Sequence, residues 1–201
     1  MVAGARRRGF TLIELLVTIS VFAFLMLLAA PSFTGWIQDA QVRTAAESLQ
    51  NGLRVAQAEA ARRHRQVALV LTNSAPGDGV AAQANGKNWF ATVIPNTTAG
   101  ESYTKSAFPL MVQSGAIGAA SPNAQLAGPA SICFNSLGRL TTLNDGTYNC
   151  TVPTSGTVTY NVTNSRSSTA RALNVTVSLG GSIRVCDPSK SLSQGSPDAC
   201  S

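Results

Sequence analysis

The sequence predicts an α+β protein in which a long N-terminal helix precedes small antiparallel β-sheets. Three observations carry this. From Leu12 to Ala30 the chain is largely apolar, and about 20 such positions are enough to cross a bilayer as one helix. Ala46, Leu49, Leu53, Ala56 and Ala60 then recur at three- and four-residue spacing, the stripe of an amphipathic helix. Beyond residue 66 the pattern changes to short apolar or alternating runs punctuated by Gly, Pro, Asn and Ser, as strands and turns require.

The first segment opens on a basic cluster, Arg6-Arg7-Arg8, followed by Gly9-Phe10-Thr11-Leu12-Ile13-Glu14-Leu15. The arginines hold the N-terminus on the cytoplasmic side, so everything after Pro31 is expected to be translocated. A secretory signal peptide would have a shorter apolar core and a small-residue cleavage site after it. A plain membrane anchor accounts for the length but not for Glu14, an ionisable group a turn inside the span that costs a few kcal/mol unless it has a partner. Pro31 and Gly35 predict a bend or a melted section before the amphipathic half. Arg43, Glu47, Arg54, Glu59 and Arg62 fall on its other faces. The helix is expected to end near Arg63-His64-Arg65, where cations complement the negative helix end. A nucleic-acid patch is the alternative use of that cluster.

Val67-Ala68-Leu69-Val70-Leu71-Thr72 is an apolar run stopped by Asn73-Ser74-Ala75-Pro76-Gly77, a strand and a loop. Asn88 to Ile94 is a second strand, ended by Pro95. Residues 97–130 are low in charge and rich in Gly, Ala, Ser and Pro, which predicts irregular loops with one strand near Leu110-Met111-Val112. Ile132-Cys133-Phe134-Asn135-Ser136-Leu137-Gly138-Arg139-Leu140 predicts a strand, a turn and a strand start. Residues 157–163 and 173–178 alternate with period two. Gly180-Gly181 turns the chain into Ser182-Ile183-Arg184-Val185-Cys186, completing an antiparallel meander. The tail from Pro188 onward is polar and is expected to be held only through Cys200.

Charged residues make up 12% of the 201, well below the usual quarter, which suits an exported β-rich domain. The formal charge is +6, of which Arg6, Arg7 and Arg8 supply three, leaving +3 without them. In an oxidising compartment Cys133, Cys150, Cys186 and Cys200 are free to pair. Three connectivities are open, and the sequential one, Cys133 with Cys150 and Cys186 with Cys200, closes the two shortest loops and is preferred. A metal site is the rival, but there is no Cys-x-x-Cys pair and His64 is the only histidine. Enzyme chemistry finds no footing. His64 sits among arginines without an evident acid, the carboxylates of the β-region are few and lie in loops, and no phosphate-loop or dinucleotide fingerprint occurs. No cofactor, metal or catalytic residue is assigned. Asn149-Cys150-Thr151, Asn161-Val162-Thr163 and Asn174-Val175-Thr176 match the glycosylation pattern, and are read as ordinary strand sequence.

Arg8-Gly9-Phe10-Thr11-Leu12-Ile13-Glu14-Leu15 resembles the prepilin motif of type IV pilins and type II secretion pseudopilins. The resemblance implies a type IV pilin-like fold and a membrane peptidase that cuts between Gly9 and Phe10 and methylates Phe10. It makes Glu14 the fifth mature residue and maps the family's helix-kinking proline onto Pro31. The implied organisation is a leader over 1–9, a transmembrane and assembly helix over 10–31, an amphipathic helix over 32–65 and a periplasmic β-rich domain over 66–201. In a fibre, the Glu14 carboxylate would pair with the protonated amine of a neighbour's Phe10. The implied partners are the prepilin peptidase, other minor and major pilins and the inner-membrane assembly platform.

Phe134-Asn135-Ser136-Leu137-Gly138-Arg139-Leu140 and Gly180-Gly181-x-Ile183-Arg184-Val185-Cys186-Asp187-Pro188 resemble the FimT/FimU minor pilins and the related GspH pseudopilins. This implies a subunit that helps start fibre assembly or sits at the tip. FimT-like members imply instead DNA capture through a C-terminal Gly-Arg-x-Arg element. Here the first arginine of that element is Ser182, and Arg184, Lys190, Arg166 and Arg171 are the remaining candidates for phosphate contact. Solvated charges at strand edges, which discourage aggregation, are the simpler account of the same residues.

Overall fold

The computed structural model describes residues 10–104 and 109–200, the side chains of 27–32 and 194 excepted. It divides into two compact units, Met1–Ile37 and Gln38–Ser201. One helix, α1 (Leu12–Arg63), belongs to both.

In the first unit α1 shows its apolar residues to the outside. From Leu12 to Met26 every large hydrophobic side chain is at least half exposed, so this surface needs lipid or other helices to cover it. Among the described residues no helix is long and apolar enough to cross a membrane. Side chains 27–32, of which 27–31 fall within the predicted span, lie outside those described. The helix is assigned without a break through Pro31 and Gly35, so the expected melted section does not occur. Proline removes a single i→i−4 bond, and the flanking turns keep the remainder.

In the second unit α1 turns a continuous stripe inward. Val42, Ala45, Ala46, Leu49, Leu53, Ala56 and Ala60 are fully buried, the 3.6-residue period read from the sequence extended one turn towards the N-terminus. The helix closes on a Schellman-type cap, with the Arg65 N–H donating to the Ala60 carbonyl at 3.2 Å. His64 takes the left-handed position with φ 53°, where glycine is the usual residue.

Among the described residues eleven strands follow in chain order. They are β1 (Val67–Thr72), β2 (Asn88–Val93), β3 (Met111–Ala116), β4 (Ala124–Ala127), β5 (Ser131–Phe134), β6 (Leu140–Thr141), β7 (Leu143–Asn144), β8 (Asn149–Cys150), β9 (Thr157–Asn164), β10 (Leu173–Ser178) and β11 (Ile183–Cys186). A five-stranded sheet has the order β3-β2-β1-β5-β6 and a four-stranded sheet the order β11-β10-β9-β4, with β7 and β8 as a separate ribbon. The paired strands within each are antiparallel. The inner faces of both large sheets share one core with the α1 stripe, through residues such as Leu69, Phe134, Tyr160, Val162 and Val175.

β1 is buried on both faces, which explains its unbroken apolar run. Its outer side chains Ala68 and Val70 join Phe90, Cys133, Tyr148 and Cys150 in a second cluster. Within residues 97–130 the strand expected near Leu110-Met111-Val112 is β3. The departure is β4, which pairs with β9 in the register Leu126↔Val162 and so adds a fourth strand to the predicted meander.

Candidate assembly surfaces

At its start α1 is capped by its own side chains. Glu14 Oε2 accepts from the Thr11 N–H at 3.1 Å and from the Thr11 hydroxyl at 3.0 Å, and Thr11 Oγ1 accepts from the Glu14 N–H at 3.3 Å. This is a capping box, Thr-x-x-Glu, with Thr11 at N-cap and Glu14 at N3. The carboxylate also lies at the positive end of the helix dipole. Glu14 is therefore supplied with donors from within its own chain, and the sequence reading, which counted it as a lone charge, missed Thr11. The Thr-x-x-Glu spacing was the available signal. Phe10 is exposed beside the cap, whereas Gly9 and Arg6 to Arg8 lie outside the described residues.

The cysteines are joined as Cys133–Cys150 and Cys186–Cys200. The first ties β5 to the β7–β8 ribbon. The second anchors the C-terminal tail, and the tail has further ties that the sequence reading did not foresee. Asp187 and Ala199 form a parallel bridge. Arg171 donates to Asp187 Oδ2 at 2.5 Å and to Asp198 Oδ2 at 2.9 Å, and Lys190 donates to Asp198 at 2.5 Å. The Arg171 N–H donates to Asp39 on α1 at 2.9 Å. Asp187 is buried. Burial opposes its charge, but the Ser189 hydroxyl and N–H together with Arg171 outweigh it and hold the carboxyl below its ordinary range. Lys190 does the same for Asp198. The expectation of a tail held only through Cys200 is thus corrected: Arg171 bridges Asp187 and Asp198, and Lys190 adds a second pair to Asp198.

That network separates the four cations considered for phosphate contact. Arg171 and Lys190 are engaged with carboxylates. Arg166 is exposed on the β9–β10 loop, and Arg184 is exposed on β11. Arg184 borders a groove of about 400 Å³ lined by hydroxyls and an amide, including Ser155, Thr157, Thr159, Asn174 and Thr176. The Arg63-His64-Arg65 cluster is likewise occupied in part. Glu59 accepts from Arg62 and Arg63 at 2.7 Å and is drawn down to about 2, chiefly by Arg62. Arg65 donates to Glu101 at 2.6 Å and to the Ile94 carbonyl at 2.7 Å. Among the described residues no group of His, Cys, Asp or Glu is placed to hold a metal ion.

The two stretches that carry the second resemblance meet in space. Gln57 Nε2, on α1, donates to the Gly138 carbonyl and to the Gly181 carbonyl, both at 2.8 Å. The β5–β6 turn and the β10–β11 turn are thereby fixed to each other and to the helix.

The chain thus carries an exposed apolar helical segment with a capped N-terminus and a domain of two antiparallel sheets. A family model described as type II transport protein GspH matches residues 45–181, and one described as the prokaryotic N-terminal methylation motif matches residues 4–30. The chain belongs to the GspH family and is a minor pilin or pseudopilin. No curated protein matches it. Among solved structures, the type IV minor pilin FimU of Pseudomonas aeruginosa (strain PAO1) is similar at 19% identity and a TM-score of 0.48, over 75% of this chain and 92% of that one. The minor pseudopilin EpsH from the type 2 secretion system of Vibrio cholerae is similar at 15% identity and a TM-score of 0.46, over 75% of this chain and 99% of that one.

Proposed function

We propose that the chain is an assembly subunit that works through contacts and not through catalysis. Residues 10–31 hold it in the inner membrane as a single pass, with the domain on the periplasmic side. A prepilin peptidase removes 1–9 between Gly9 and Phe10 and methylates Phe10. The subunit then enters a type IV pilus or a type II pseudopilus alongside other minor and major pilins, at the assembly platform, where it helps to start the fibre or sits at its tip.

The observation that supports this most directly is the Thr11–Glu14 cap at the head of an uncovered apolar helix. In the waiting subunit the Glu14 charge is satisfied locally. A neighbour's Phe10 amine then adds a charge-assisted bond that forms only at the correct stagger between helices. The expected outcome for Glu14→Ala or Glu14→Leu is normal membrane insertion with loss of incorporation, read by fractionating membranes and sheared fibres. Wild-type incorporation of either variant overturns the role of Glu14.

A further inference from the structure

Among the described residues of the second unit, the exposed large hydrophobic side chains are Leu137, Leu179 and Leu192. Two of the three sit on the adjoining turns that Gln57 joins. Leu137, at 77% exposure, rides on a turn with little freedom to move. Asn135 Oδ1 accepts from the Leu137 N–H at 2.9 Å and the Arg139 N–H at 3.1 Å. The Asn135 N–H donates to the Arg139 carbonyl, and the Gly138 N–H to the Asn135 carbonyl, each at 2.9 Å. Gly138, with φ +71°, supplies the left-handed position.

The second turn is locked against the first. A Cβ on Gly181 would run into the Gly138 carbonyl oxygen, the Leu140 N–H donates to the Leu179 carbonyl at 3.1 Å, and the Leu179 N–H donates to the Gly156 carbonyl at 2.6 Å. Leu179 is 43% exposed. Such rigidity lowers the ordering cost of a contact made through an exposed leucine.

The surroundings set the chemistry of that contact. Arg139 is exposed on the same turn, and Arg54 is exposed on α1 three residues before Gln57, a spacing that makes neighbours on a helix. Neither forms an ion pair among the described residues. A second copy of this chain meeting the patch across a two-fold axis would bring its own Arg139 and Arg54 to the same interface, adding cations where the patch is already basic. We propose that the Leu137–Leu179 patch is a docking surface for a different subunit of the fibre, one that offers an apolar socket rimmed by carboxylates for Arg139 and Arg54. The assignment rests on the chain being a fibre subunit as proposed above.

The test places Leu137→Asp plus Leu179→Asp in the full-length chain in its native host, with Glu14→Ala in parallel and a photo-cross-linking residue at position 137 in a third strain. The double variant is expected to melt within a few degrees of wild type and to remain in the membrane fraction. Its incorporation into the fibre is expected to fall at least tenfold, with Arg139→Glu giving a smaller drop. Should the double aspartate variant not fold, Leu137→Ser with Leu179→Ser serves the same purpose. The cross-link is expected on another pilin-class chain, next to Asp or Glu. Wild-type incorporation of the folded double variant, or a cross-link only to lipid or to a second copy, overturns the proposal. If Glu14→Ala loses incorporation while the leucine variants keep it, the docking surface fails and the subunit reading stands. If the leucine variants and Glu14→Ala all incorporate normally, the docking surface and the role of Glu14 both fail, whereas the subunit reading fails only if the wild-type chain is itself absent from the fibre.

Discussion

At the scale of single residues, the tightest constraint lies around Trp89. Its indole is gripped between two glycines: a Cβ on Gly52 of α1 would lie 2.8 Å from the ring, and one on Gly115 of β3 would lie 2.6 Å from it. The indole N–H donates to Ser48 Oγ at 3.1 Å, so the ring is fixed on three sides. In an open helix position Gly→Ala gains about 1 kcal/mol, and Gly35, with nothing within 4 Å of an added Cβ, is such a position. At Gly52 the clash is expected to reverse the sign, with Gly52→Ala losing roughly 1–3 kcal/mol, seen as a lower melting temperature for the protein in detergent. An unchanged or raised melting temperature would mean that the indole has room to shift. None of this was legible in the sequence, where Gly52 interrupts a good helical pattern without apparent reason. The Thr11–Glu14 cap, by contrast, was fully legible as a three-residue spacing, and only the attention given to Glu14 as a lone charge concealed it.

At the scale of elements, the long and strongly patterned pieces announced themselves and the short ones did not. The α1 stripe and the alternation of β9 and β10 follow from burial on one face, so each residue reports its own environment. β4 is Ala124-Gln125-Leu126-Ala127, whose alternate burial is real but rests on small residues flanked by Pro and Gly. Its existence depends on β9. The two-residue strands β7 and β8 depend likewise on each other and on the Cys133–Cys150 bond. The tail is the extreme case, since Asp187, Asp198, Lys190 and Arg171 become one cluster only in three dimensions. The cluster predicts an acid response. The Asp187 carboxyl is held below its ordinary range in the fold, so its contribution is present above the unfolded value near 3.9 and is lost as pH falls below about 4. Asp187→Asn is expected to cost about 1–2 kcal/mol at neutral pH and to flatten the loss of stability between about pH 4 and 2. Chemical denaturation at several pH values reads both. An equally steep acid limb in the variant would place the acid sensitivity in other carboxylates.

At the scale of the whole chain, ion pairing limits how many of the basic residues considered for phosphate contact are open to it. The net charge left without the leader arginines is +3, and several of the cations behind it are paired. Arg171 and Lys190 neutralise Asp187 and Asp198, and Arg62 and Arg63 share Glu59. Of the residues first considered for phosphate contact, Arg184 and Arg166 remain exposed without an ion pair among the described residues. Two such contacts give a salt slope near −2, so binding to duplex DNA would weaken only about tenfold between 50 and 200 mM salt. Its dissociation constant is expected to stay above about 100 μM at physiological salt, the weak end of non-specific binding. Titrating the Gln38–Ser201 unit with duplex DNA at both salt concentrations, with Arg184→Ala alongside, measures this directly. Micromolar binding with a salt slope of four or more, abolished by Arg184→Ala, would require the tail cluster to release its cations to phosphate, and would make DNA a ligand of the groove beside β11. The expected weak and shallow response leaves the exposed arginines to contacts between subunits, where Arg139 and Arg54 flank the leucine turns.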